Sequence, residues 1–151
     1  EYEDALVAGE SRGAVVDDIA NVFRLSDEAQ TAFPFLDPAQ SADATTTDVE
    51  NFVDSVFDNL FNRQPEDAGL AFWRSEIEDR LDQGFGVGEV IVDIMSGAQG
   101  ADVATLANKL EVADAYANLV PDSAFDQGEA VDIVGQVNAT EGSVTSALEQ
   151  L

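Results

Sequence analysis

The residues of this chain that could do chemistry are almost all carboxylates. Asp and Glu number 31, against five Arg and the single Lys109, for a net charge of -25. There is no Cys and no His. Thiol nucleophiles, imidazole bases, disulfides and zinc sites of the usual ligand types are therefore absent. What remains for catalysis is a carboxylate pair, with one acid protonating a leaving group and the second acting as base or nucleophile. Glu76/Asp79 and Asp79/Asp82 have spacings that can pair carboxylates. In a chain this acidic such pairs arise unavoidably, so they say little, and a carboxylate-based hydrolase ranks last among the readings.

Carboxylates can also hold calcium. Asp37, Asp43 and Asp48 do not make an Asp-x-Asp-x-Asp-Gly loop, because Ala39 and Ser41 stand where ligands belong. No Gly-Gly-x-Gly-x-Asp repeat of the secreted calcium type is present either. The expectation is no cofactor and no dedicated metal site, with weak binding of divalent cations at the surface.

Arg63 is the sharpest single residue. It follows a predicted helix and precedes a tight turn, where its guanidinium could capture a carboxylate or a sugar acid. The simpler expectation is a structural fork, bonding the last carbonyls of its own helix or pairing with Glu66 or Asp67. Phe72 and Trp73 could stack on a sugar, yet Trp73 shares a stripe with Leu70, Ile77 and Leu81, which favours core packing. Gly84-Phe-Gly-Val-Gly88 follows a helix and has no neighbouring Lys, so cap and loop glycines explain it better than a nucleotide loop. Asn138-Ala-Thr140 fits a glycosylation acceptor, a tripeptide that is common by chance.

The elements that must position these groups read as helices throughout. Val49, Phe52, Val53, Val56, Phe57 and Leu60 make one wide apolar stripe over Asp48–Phe61, with Thr47 or Asp48 as N-cap. Asn62 to Gln64 make a turn, and Pro65 suits the first position of the next helix, which runs to about Asp82. Gly84 ends that helix. Further helices are predicted at Val87–Ser96, Asp102–Asn118, Gln127–Val137 and Glu141–Leu151, with Pro121 as a stop. Pro34–Thr46 reads as a long connector. No alternating strand pattern survives. The fold class is all-α, a bundle of about six to eight helices.

An internal repeat organises the chain. Shifted by 75 residues, Glu3–Ala20 lies on Glu78–Met95 with eight of eighteen positions identical, among them Gly9/Gly84, Gly13/Gly88, Val15/Val90 and Ile19/Ile94. Chance alone would give about one or two. The matches mark a helix end, a glycine, a loop and the next helix's apolar face. The segmentation that follows is a half module over 1–46, a complete module over 47–118 and a helical extension over 119–151. The face formed by Val15, Val16, Ile19, Val22 and Phe23 then lacks its own module's front hairpin and is a candidate interaction face. Because the chain starts at Glu1 rather than Met, it reads as a processed product, a fragment or part of a longer polypeptide.

The motif Phe57-x-x-Leu-Phe-Asn-Arg63-x-Pro65-x-x-x-Gly69-Leu-x-x-Trp73, followed by Gly84 and a Val/Ile-rich helix ending at Ser96, resembles the bacterial family called domain of unknown function 4214. Asn62 stands where that family commonly has Gly, and Glu66-Asp67 replaces Asp plus a small residue. Leu106–Tyr116 looks like the segment that often follows the motif. The resemblance implies a helical part of a large secreted or cell-surface bacterial protein, such as an S-layer chain, an adhesin or a type I secretion substrate. It also implies similarity to phycobilisome linker domains, which are assembly modules rather than enzymes. It makes Arg63, Pro65, Gly69, Trp73 and Gly84 structural motif residues.

The charge narrows the partners. A phosphate backbone or an anionic bilayer would be repelled over nearly the whole molecule, so neither nucleic acid nor membrane insertion is expected. No apolar run is long enough to span a bilayer. Acidity fits salty water or a cation-bathed surface, while 45% hydrophobic residues and nine Phe argue for a folded core. The leading expectation is a non-catalytic interaction module at the bacterial surface, binding other domains or copies of itself. A calcium-assisted glycan-binding module is the alternative.

Overall fold

A computed structural model describes residues 26–84 and 86–151. Val15, Val16, Ile19, Val22 and Phe23 lie outside the described residues, as does the first copy of the repeat. The described residues are all-α, with seven α-helices and no strand. These are α1 (Asp27–Ala32), α2 (Thr46–Phe61), α3 (Asp67–Asp82), α4 (Gly88–Ser96), α5 (Ala101–Leu119), α6 (Gln127–Gly135) and α7 (Glu141–Leu148). Short 3-10 turns occur at Pro34–Leu36, Ser41–Asp43 and Asp122–Ala124.

The chain forms two compact units. The first takes the residues up to Asp54 together with Pro65–Gly97; the second takes Ser55–Gln64 with Ala98–Leu151. This division follows contacts and does not coincide with the segments 1–46, 47–118 and 119–151. Helix α2 supplies its first part to one unit and its last part to the other.

In the first unit Phe52 is the centre of an aromatic group. Phe33 and Phe35 meet it edge-on, with ring centroids 5.2 and 5.7 Å away. Phe35 is only 4% exposed and Leu36 only 2%. The Pro34–Thr46 stretch is therefore no plain connector, which corrects the sequence reading. Two apolar residues among Pro, Asp and Ser are too few to show a period, yet they fill core. Val49, Val53, Ile77, Val87, Val90 and Ile94 complete that core. Arg80 joins α3 to α4 through Glu89 (3.0 Å) and Asp93 (2.7 Å), and Arg74 joins α3 to α2 through Glu50 (2.7 Å).

Two helix starts differ from expectation. Helix α2 begins at Thr46, and its cap is Thr45 rather than Thr47 or Asp48. The Asp48 N–H donates to Thr45 Oγ1 (3.2 Å) and the Thr45 N–H donates to Asp48 Oδ2 (2.9 Å). This is a capping box, with Asp48 as its reciprocal partner. Three successive threonines made the register ambiguous. Helix α3 begins at Asp67 with Glu66 as cap, so Pro65 stands just ahead of the cap rather than at the first helical position. Beyond the far end of α3, Gly84 takes φ 75° and its N–H bonds the Leu81 carbonyl at 3.0 Å, a left-handed turn that glycine adopts freely.

In the second unit α6 and α7 both pack on α5. Val112 and Tyr116 of α5 meet Ile133, Val137, Val144 and Ala147 in one buried cluster. The Tyr116 hydroxyl accepts from the Asp126 N–H (3.3 Å) and lies 3.1 Å from Glu129 Oε2. Burial holds its pKa above the usual phenol value. Asp126 in turn caps α6, accepting from the Glu129 N–H at 3.0 Å. The loop before α7 turns on Asn138, whose Oδ1 accepts from the Thr140 N–H at 2.9 Å.

Candidate functional site

In the second unit a polar arrangement linking three helices gathers at the end of α2. Helix α2 stops because Asn62 takes φ 54°, a left-handed conformation that Gly, Asn and Asp tolerate. That conformation lets Asn end the helix where a residue other than Gly, Asn or Asp would be strained. The Asn62 side chain then adds what Gly lacks. Its Nδ2 donates to the carbonyls of Gly135 (2.7 Å) and Val137 (3.0 Å), holding the end of α6. Its Oδ1 accepts from Lys109 Nζ.

Lys109 lies on α5 and is only 8% exposed. Its ammonium also donates to the Asn59 carbonyl at 2.6 Å, in the last turn of α2. A cation there meets the negative end of the helix dipole and fills an orphan carbonyl. Burial pushes the Lys109 pKa below the usual lysine value, while the charge of Asp58 pulls it back up. Lys109 and Asn62 were not picked out as site residues from sequence. The available signals were an Asn at a helix end where a Gly is common and a single Lys in a chain of Arg.

Arg63 forms the third part. It is a structural fork, but neither Glu66 nor Asp67 is the partner found. Its Nε and Nη2 grip Asp102 at 2.8 and 2.6 Å, at the start of α5. Its Nη1 donates to the Gln64 carbonyl at 3.0 Å. The guanidinium also sits 5.3 Å from the Phe57 ring centroid and 5.8 Å from that of Phe61, within cation–π range. A two-pronged carboxylate grip plus ring stacking is a task that Arg performs and Lys does not.

Beside this hub lies an open groove of about 560 Å³ lined by Asp58, Asn59, Asn62, Lys109, Gln127 and the apolar side of α6. The ammonium at its floor is engaged by two oxygens. None of these lining residues forms a nucleophile–base pair. Among the described residues no three His, Cys, Asp or Glu are placed to hold a metal ion.

The remaining motif residues are in the first unit. Trp73 is half-buried and meets Phe72 edge-on at 4.9 Å, while Phe72 itself is 54% exposed. Ile77 is the buried member of the stripe Leu70, Trp73, Ile77 and Leu81. At Gly69 a Cβ would meet nothing within 4 Å, so no close approach explains the glycine. The hub therefore contains Arg63 but not Pro65, Gly69, Trp73 or Gly84, which belong to the other unit.

No curated protein and no solved structure matches the chain. A family model does: residues 35–96 match the one described as domain of unknown function (DUF4214).

Proposed function

We propose that this chain is a non-catalytic structural and interaction module of a secreted or cell-surface bacterial protein. One observation carries the reading. Each basic side chain of the described residues is committed to a partner within the chain: Arg63 to Asp102, Arg74 to Glu50, Arg80 to Glu89 and Asp93, and Lys109 to Asn59 and Asn62. The groups best suited to gripping a ligand are used to tie helices together. The acidic composition and the family resemblance supply the surface setting. Screening chromogenic glycosides, esters and phosphoesters tests the catalytic part. No turnover is expected; turnover that disappears on replacing one Asp or Glu by its amide would overturn the reading.

A glycan-binding module is the second reading, favoured by exposed Phe72 set against Trp73. A carbohydrate array probed with calcium present decides it. Binding that is lost in Phe72→Ala would support this reading, and an array without signal removes it.

A further inference from the structure

Helix α5 is apolar on two distinct faces. Thr105, Lys109, Val112 and Tyr116 are buried. On a second face Val103, Leu106, Leu110, Ala113 and Ala117 recur at steps of three and four, the seam spacing of a helix that meets another helix. On this seam Leu110 is 72% exposed and Val103 50%, while Leu106 between them is partly buried. Of the eight exposed large apolar side chains among the described residues, six (Val103, Leu110, Leu119, Phe125, Val131 and Leu148) belong to this one unit. Val103 and Leu110 lie on this seam, whereas Val131 lines the groove beside Lys109 and Phe125 meets Tyr116 edge-on; an exposed apolar stripe along one helix face is the kind of surface that marks a contact site.

Charge selects the occupant. Of the charged residues of α5, Lys109 is buried on the other face and Asp102 is held by Arg63, which leaves Glu111 and Asp114. A second copy would bring the same acids and another net charge of -25, a repulsion that opposes a small seam. A helix with an apolar seam and basic flanks meets both the apolar stripe and the charge. We infer that the Val103–Ala117 face of α5 is a docking site for an amphipathic helix with Lys- or Arg-rich flanks, carried by another polypeptide. This assignment rests on the interaction-module reading and names its partner.

Fluorescence anisotropy on the full chain tests it. The probe is a labelled synthetic peptide with Leu at both seam positions of each heptad and Lys on the flanks. A scrambled peptide of the same composition is the control, both at an ionic strength of about 0.15 M, where long-range attraction is screened. The ordered peptide should bind at least about tenfold tighter than the scrambled one. Leu110→Gln, at a position 72% exposed where the circular dichroism spectrum should stay unchanged, should remove that advantage. Equal binding of the two peptides, or full retention in Leu110→Gln, overturns the assignment. Sedimentation of the chain alone separates the remaining outcomes. A dimer that Leu110→Gln dissolves makes the occupant a second copy, which overturns the basic helix and keeps the module reading. Absence of any association that Leu110→Gln weakens removes the α5 face from both.

Discussion

Asn62 shows how one residue can satisfy two demands that glycine would satisfy only in part. Its backbone must be left-handed to end α2, and its amide must donate to two carbonyls and accept from Lys109. The two demands separate by substitution. Asn62→Gly keeps the backbone freedom and loses the side-chain bonds, which should cost about 1–3 kcal/mol, because the Val137 carbonyl and the buried ammonium each lose a partner. Asn62→Ala loses the same bonds and adds the left-handed penalty of a β-carbon, roughly 1 kcal/mol more. Urea unfolding followed by circular dichroism should therefore rank wild type above Asn62→Gly, and Asn62→Gly above Asn62→Ala. Equal midpoints for the two variants would show that the left-handed backbone is not what places this residue.

At the scale of the element, the start of α2 depends on one reciprocal pair. Thr45→Ala removes the cap oxygen and should cost about 1 kcal/mol near neutral pH. The effect should depend on pH with a defined sign. The Thr45 bonds favour the charged form of Asp48, so its folded pKa lies below the usual carboxylate range. A carboxylate lowered in the folded state contributes stability above its unfolded pKa and loses it as pH falls through the folded value. The gap in melting temperature between wild type and Thr45→Ala should therefore narrow as the solution is acidified through that range. A gap that stays constant to low pH would separate the cap from the Asp48 charge.

Most of the elements were legible in the sequence, because 3.6-residue stripes over nine or more residues survive any local ambiguity. Helices α2 to α5 fall where their apolar spacing put them, and α6 and the eight-residue α7 overlap the two shorter helices expected after Pro121. Three things were not legible. The Thr45–Asp48 box lay hidden in a run of three Thr; Phe35 and Leu36 had no period to report; and α1 is a six-residue helix whose evidence is the bond from the Ala29 N–H to Ser26 Oγ. The hub was half legible. Arg63 announced itself by type and place, but Asp102 lies 39 residues away, and nothing local could choose it over Glu66 or Asp67. Lys109 reaches α2 across 50 residues to Asn59, a pairing that only the packed helices create.

Over the whole molecule the strongest electrostatic influence is the imbalance of 31 acidic against 6 basic residues. Salt acts on it in two opposing ways. It weakens the ion pairs, such as Arg63–Asp102 and Arg74–Glu50, each partly exposed and worth at most about 1 kcal/mol. It also screens repulsion among the many excess carboxylates, which crowd together on folding and spread apart on unfolding. The screening length falls from about 30 Å at 0.01 M to about 10 Å at 0.1 M. Over that interval the many long-range repulsions fade, while contacts at 2.6–2.7 Å lie well inside either length. The repulsion therefore changes more than the ion pairs do, and the melting temperature should rise with sodium chloride, steeply at first and then level off. Calcium chloride at matched ionic strength should give a similar smooth rise without a saturable step, since among the described residues no three acidic side chains are placed around one ion. A melting temperature that falls with sodium chloride would mean that the ion pairs outweigh the repulsion. A stoichiometric calcium step in calorimetry would place an organised cation site in the chain and remove screening as the account of its acidity.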